Sequence, residues 1–152
     1  MIPLALFVVF GAIAGQNAPA PLVLPDGVRA HLKTETFAPL VHVADLPKPV
    51  QDALKTFFDT KTLDIADPGK DFQATDVIMT PDLPIRRLIV AGCAADHCLV
   101  HYEKGGFAHS YEIAVVSINK TGASVQSHQL TNGALGTLAD VKSEVVNRRA
   151  RD

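Results

Sequence analysis

Apolar and polar positions alternate at short, even spacing through the second half of this chain. From Arg86 to Leu130, β-branched and aromatic stretches are separated by turn segments at 94–97, 105–106 and 119–122. Such spacing is typical of an antiparallel β-meander joined by tight turns. The pattern therefore predicts a sheet of four to five strands, around which the rest of the chain is arranged.

Helical periodicity flanks the predicted sheet on both sides. Before it, apolar residues recur at helical spacing, namely Leu46, Val50, Ala53, Leu54, Phe57 and Phe58. Pro47 and Pro49 fit a first turn, where a missing N–H costs nothing. After the sheet, Thr137 and Asp140 have the spacing of a capping box, and an apolar stripe follows at Leu138, Val141 and Val145. We predict helices at about 48–59 and about 138–149, packed on one face of the sheet, and hence an α+β fold.

A further strand is predicted near the start of the chain. Residues Val28 to Thr36 alternate with a period of two, which favours a half-buried strand. One helix beside an antiparallel meander is similar in a general way to cystatin-like folds. That similarity concerns topology and implies no functional residue.

Short turns suggest a strand register. A two-residue turn at Gly105-Gly106 would pair His101 with Ser110, and a four-residue turn at 94–97 would place Cys93 opposite Cys98. Directly opposed residues lie within disulfide-bonding distance, so we predict a Cys93–Cys98 disulfide. The helices are then expected over the more apolar face, which collects Ile89, Ala91, Val100, Tyr102, Tyr111, Ile113 and Val115.

The opposite face of this predicted sheet carries a polar cluster. In this register it collects His101, Glu103, Ser110 and Glu112, with Gln129 beside Glu112. Mixed polar and apolar lining suits a ligand site, so we predict that these five residues bind a partner offering a hydrogen-bond donor or a cation. The nearby carboxylates are expected to raise the pKa of His101 and make binding depend on pH between roughly 6 and 8.

Two alternative functions, a metal site and a catalytic site, also involve His101. Cys93, His97, Cys98 and His101 are of types that suit zinc, but Cys98 and His101 are three apart on one strand and point to opposite faces. We therefore expect no metal and no cofactor. His101, Ser110 and Glu112 could form a Ser-His-acid arrangement, although a nucleophile normally sits on a strained turn. We expect no catalytic residue, and a small secreted hydrolase is the alternative.

The first residues have the pattern of an export signal. Met1 to Ala14 is an uncharged apolar run, too short for a comfortable membrane span, and small residues follow it. We predict a secretory signal peptide at 1–20, with cleavage after Ala14 or Ala20, although a buried N-terminal segment is the alternative. A single domain at 21–152 would then be secreted or periplasmic, with no stable membrane anchor. One disulfide fits such a compartment.

Composition excludes some partners. The chain has 152 residues, 47% of them hydrophobic, and a formal net charge of −2. This near-even balance gives no indication of nucleic-acid binding. The sequence therefore predicts an exported small binding domain, an inhibitor or accessory factor, whose partner is an unknown protein or small-molecule ligand.

Overall fold

The computed structural model describes residues 23–77 and 80–148, and within them the fold is α+β, as predicted. The predicted signal peptide lies outside these residues. The elements in chain order are α1 (Asp26–Thr34), β1 (Ala38–Leu40), a short 3-10 helix (Val43–Asp45), α2 (Lys48–Phe58), β2 (Arg86–Cys93), β3 (His97–Lys104), β4 (Ser110–Asn119), β5 (Gly122–Thr131) and α3 (Leu138–Asn147). None of the helices in the described ranges has the length and apolar character needed to cross a membrane.

The five strands form one antiparallel sheet in the order β1-β2-β3-β4-β5. Both predicted helices are present within one or two residues of their expected bounds. Val50 and Leu54 of α2 are fully buried one helical turn apart, as the apolar spacing requires. Thr137 caps α3, since its hydroxyl oxygen accepts a hydrogen bond from the N–H of Asp140 at 3.1 Å.

The helices cover both faces of the sheet, which corrects the expectation that they share one. Helix α2 packs with Val100 and Tyr102 of β3, whereas α1 and α3 pack over Leu99 of the same strand. The physical reason lies in the central strand, because residues 97–103 of β3 are all buried. A strand with two apolar faces needs cover on both sides.

The register of the β3–β4 hairpin also differs from the predicted one. Lys104 pairs with Ser110, so the connection spans residues 105–109 instead of two glycines. Gly105 contacts residues that are far from it in the sequence. Its N–H donates to the carbonyl oxygen of Ile85 at 2.9 Å, and a Cβ at this position would lie 1.9 Å from the carbonyl oxygen of Gln73. The three-residue shift is odd, so it moves every β4 side chain to the face opposite the predicted one.

The predicted strand at 28–36 is mostly helix, α1. Leu24, Val28 and Leu32 recur every four residues and contribute to the apolar cluster under α3, where Leu32 is fully buried. The Arg29 guanidinium donates to the carbonyl oxygen of Val145 at 3.0 Å and caps the last turn of α3. Packing between the two helices therefore decides a segment whose sequence also fits an alternating pattern.

The Cys93–Cys98 disulfide is present and closes the β2–β3 turn, as predicted. The two cysteines are directly paired across the strands, with Cα atoms 4.1 Å apart. Their thiolates are thus not available as zinc ligands, and the Cys93, His97, Cys98 and His101 metal alternative falls with them.

Candidate functional site

The five residues predicted to bind a ligand do not share one face of the sheet. His101, Glu103 and Gln129 lie on the side covered by α1 and α3, whereas Ser110 and Glu112 lie on the side covered by α2. The three-residue register shift separates them. His101, Glu103 and Glu112 are buried and the set is divided between two faces, so the open polar face that the sequence predicts does not form.

His101 is fully buried and has both ring nitrogens engaged. Its Nδ1 atom lies 2.9 Å from the carbonyl oxygen of Glu112, and its Nε2 atom accepts a hydrogen bond from the N–H of Leu135 at 2.9 Å. Burial lowers the pKa of His101 and outweighs the upward effects of the Glu112 carbonyl and the Glu103 carboxylate. The expectation of a raised pKa is therefore wrong, because the ring is buried in the protein and not open to water.

Glu112 forms the centre of a second polar group, on the α2 side. Ser110 donates to its Oε1 atom at 2.6 Å, and the Nε2 atom of His128 lies 2.7 Å from its Oε2 atom. Burial raises the pKa of Glu112, but the hydrogen bonds from His128 and Ser110 outweigh burial and lower it to about 2. The carboxylate lies between hydroxyl and imidazole, whereas a catalytic serine needs the imidazole beside its own oxygen.

Glu103 and Gln129, the remaining predicted residues, have structural surroundings. Glu103 accepts from the Arg87 Nε atom at 2.8 Å and lies 2.9 Å from the Nε2 atom of His109. Burial raises the pKa of Glu103, while the contacts with His109 and Arg87 lower it to a greater extent. The side-chain nitrogen of Gln129 is buried with no hydrogen-bond partner among the described residues.

An open groove of about 630 Å³ runs between α2 and the first half of β5. Half-buried apolar side chains form its floor, namely Ala53, Phe57, Ala123 and Val125. Exposed residues form its rim, namely Lys48, Pro49, Asp52, Thr56 and Ser124. A concave surface of this size with an apolar floor and a few polar groups matches the general properties of binding sites.

The groove lies beside an edge strand that contains no charged residue of the Asp, Glu, Lys or Arg types and no proline. This strand, β5, spans ten residues, Gly122–Thr131. Its register irregularity falls after Val125, so the segment beside the groove pairs regularly with β4. Natural edge strands are usually short, charged, bulged or interrupted by proline. β5 can therefore offer unpaired backbone groups to another extended chain.

The opposite edge of the sheet provides a contrast. β1 has three residues, Ala38–Leu40, and its middle residue is Pro39, which has no N–H to donate. A parallel bridge between Ala66 and Arg87 covers the start of β2. The β1 edge is thus short and contains a proline, whereas residues 122–125 of β5 have neither protection. Farther along β5, the Arg148 guanidinium donates to the carbonyl oxygen of Leu130.

Charge at the rim of the groove is concentrated at its α2 wall. The Nζ atoms of Lys48 and Lys55 lie 2.6 and 2.5 Å from the same Oδ1 atom of Asp52. The hydrogen bond to Asp52 raises the pKa of Lys48. Lys48 and Asp52 line the groove and carry opposite charges, while Lys55 lies outside the groove lining.

Sequence reasoning missed this groove because helix and strand packing creates it. The available signal was the composition of Gly122 to Thr131, an uncharged strand that ends the meander. Comparison with known proteins gives no match for this chain among family models, curated proteins or solved structures.

Proposed function

We propose that this protein is an exported binding domain that accepts an extended polypeptide segment along β5, with alternate side chains of that segment in the groove against α2. The observation that carries the proposal is the regular, uncharged and proline-free segment 122–125 of the β5 edge, directly beside an apolar groove. The proposal keeps the predicted binding function and moves the site away from the residues around His101, which lie under the helices.

The two parts of the site have different physical roles in this proposal. Backbone N–H and C=O groups of β5 supply hydrogen bonds that do not depend on partner sequence. The groove supplies selectivity, because side chains of an extended chain point alternately toward and away from it. Its half-buried floor of Ala53, Phe57 and Val125 favours apolar side chains.

Two features support action outside the cytoplasm. The Cys93–Cys98 disulfide is of a kind that persists in oxidising compartments. The apolar run at the N-terminus followed by small residues has the pattern of a signal peptide, with cleavage after Ala14 or Ala20. The intact mass of protein recovered from a cell-envelope fraction tests export, and retained Met1 would contradict it.

Peptide selection tests the binding site. Phage-displayed random octapeptides are selected against the full-length, disulfide-bonded protein, and a selected peptide is labelled with fluorescein for anisotropy titration. We expect selected sequences with apolar residues at alternate positions. Ser124→Lys adds an exposed charge to the β5 edge, of the kind that disfavours strand pairing, and should weaken binding about tenfold or more, the equivalent of about 1.4 kcal/mol.

The matched control is Ala38→Lys, which adds the same charge to the exposed part of the opposite edge strand. It should leave the Kd of the peptide within about twofold. Equal effects of the two substitutions, or failure to select any peptide, would overturn the proposal. Light scattering that finds a dimer abolished by Ser124→Lys would also overturn it and assign β5 to self-association.

A further inference from the structure

Four potential metal ligands lie close together at one end of the sheet. They belong to none of the elements that line the groove. His31 lies in the last turn of α1 and Glu35 directly follows the helix, while Asp96 lies in the β2–β3 turn and His97 is the first residue of β3. The set combines two imidazoles with two carboxylates, the ligand types that bind divalent transition metals. It is therefore distinct from an ordinary patch of acidic residues.

Distances within the group approach those of a coordination sphere. The Nε2 atom of His31 lies 3.5 Å from the Oδ2 atom of Asp96. Two ligands at about 2.05 Å from zinc, at the tetrahedral angle, are about 3.4 Å apart. One ligand atom each of His31, Glu35 and Asp96 lies within 4.8 Å of the others. Because His31 and Asp96 are about half exposed, small side-chain rotations can close this remaining gap.

Glu35 is oriented by buried contacts before any metal arrives. Its side chain is 7% exposed, and its Oε2 atom lies 2.7 Å from the Nδ1 atom of His97, which is 6% exposed. Its Oε1 atom accepts a hydrogen bond from the N–H of Asp96 at 3.3 Å. Each carboxylate oxygen has a further lone pair. Hydrogen bonds to a ligating side chain orient it in many metal sites. Here His97 would orient Glu35 without touching the metal itself.

The β2–β3 turn, which contains Asp96 and leads into His97, is held by several contacts. The Cys93–Cys98 disulfide closes it, and the N–H of Ala94 donates to the His97 carbonyl at 2.8 Å. The N–H of Ile118 donates to the Asp96 carbonyl at 2.7 Å. A fixed turn reduces the entropic cost of assembling a metal site.

We propose that His31, Glu35 and Asp96 bind one divalent transition-metal ion of the zinc class, with His97 orienting Glu35. Three protein ligands leave a fourth position open to water. The imidazole argues against calcium and magnesium, which prefer oxygen ligands alone. Nearby Lys142 does not occupy the site, because its Nζ atom donates to the backbone carbonyls of Lys33 and Glu35. No metal was expected from the sequence, because the residues with the types for a zinc site, Cys93, His97, Cys98 and His101, do not include His31, Glu35 or Asp96.

Zinc titration tests the site. Untagged, disulfide-bonded full-length protein is titrated with Zn²⁺ by calorimetry, and the same samples are heated with and without Zn²⁺. We expect one saturable site and a rise in Tm with Zn²⁺. His31→Ala and Asp96→Asn should each weaken Zn²⁺ binding at least tenfold, and His97→Gln should weaken it about tenfold to hundredfold. His31 and Asp96 are exposed, so their variants should fold as the wild type does.

The control uses a second exposed histidine–aspartate pair. The Nδ1 atom of His42 lies 3.4 Å from the Oδ2 atom of Asp67, and no third histidine, cysteine or carboxylate completes a group with them in the described ranges. His42→Ala should leave Zn²⁺ affinity unchanged. Absence of saturable Zn²⁺ binding would overturn the proposal, as would equal losses in His31→Ala and His42→Ala. Binding of Ca²⁺ as tightly as Zn²⁺ would also overturn it.

Discussion

His101 joins the middle of the sheet to the segment that precedes α3, because its Nε2 atom accepts a hydrogen bond from the backbone N–H of Leu135 at 2.9 Å. The other ring nitrogen, Nδ1, contacts the carbonyl oxygen of Glu112 across the β3–β4 pair. One nitrogen accepts and the other donates, so the buried ring is neutral. Its role in this arrangement is structural.

Removing this imidazole should destabilise the fold. His101→Ala leaves the Leu135 N–H and the Glu112 carbonyl without a side-chain partner and opens a cavity at a fully buried position. We expect a loss of about 2–4 kcal/mol in the free energy of unfolding. Denaturant unfolding measures it, with exposed His42→Ala as the control, expected to cost no more than about 1 kcal/mol, because it removes only the cap of a three-residue 3-10 helix. Equal stabilities would contradict the structural role.

The Glu112 carboxylate should make stability depend on pH in the acid range. Its pKa is about 2 in the folded protein against an ordinary value of 4.5, so the folded state favours the charged form. Its contribution is complete above about pH 5 and is lost as pH falls through the folded pKa near 2. A shift of this size corresponds to about 3 kcal/mol.

Glu112→Gln tests this dependence. Unfolding free energies are measured at pH 7 and pH 3 for the wild type, Glu112→Gln and Glu144→Gln. Glu144 pairs with Arg148 on the surface of α3 and serves as the control. We expect the loss of stability between the two pH values to be smaller in Glu112→Gln than in the wild type, and unchanged in Glu144→Gln. An unchanged loss in Glu112→Gln would show that this carboxyl does not govern acid stability.

Gly105 should be intolerant of any side chain. A Cβ there would lie 1.9 Å from the carbonyl oxygen of Gln73, so backbone must move to admit it. Gly105→Ala should cost about 1–3 kcal/mol, the usual range for overpacking. Gly136→Ala is the matched control, since a Cβ at Gly136 meets nothing within 4 Å. Thermal unfolding compares the two variants, and a Tm for Gly105→Ala equal to that of Gly136→Ala would refute the close approach.

The disulfide should contribute modestly to stability. It closes a small loop, with a sequence separation of five residues, for which the chain-entropy model gives about 2 kcal/mol. The double variant Cys93→Ala, Cys98→Ala should therefore remain folded and lose about that amount in denaturant unfolding. Because the turn that the disulfide closes contains Asp96, the double variant should also bind Zn²⁺ more weakly than the wild type does. Loss of all cooperative unfolding would mean that the bond is needed for the fold itself.

Local chemistry was sufficient to predict several elements. The spacing of Val50 and Leu54 predicted α2, the Thr137 cap predicted the start of α3, and the short turn between Cys93 and Cys98 predicted their bond. These features depend on residues within a few positions of one another. Hydrogen bonds and side-chain contacts over such distances are fixed by the chain itself.

The features that decide the sites depend on contacts between distant residues. A glycine pair alone favours a tight two-residue turn. In the structure Gly105 lies against Gln73, and the connection between β3 and β4 has five residues. The resulting odd shift separates His101 from Ser110. Arg29 of α1 donates a hydrogen bond to the end of α3. The helical conformation of α1 places His31 and Glu35 beside Asp96.

The sequence by itself thus determined the fold class, the helices α2 and α3, the strands of the meander and the disulfide. Only the tertiary structure decided the β3–β4 register, the helical state of α1 and the placement of helices on both faces. The physical reason is that a strand register or an ambiguous apolar pattern has alternatives of similar local energy. Long-range packing and hydrogen bonding then select one of them.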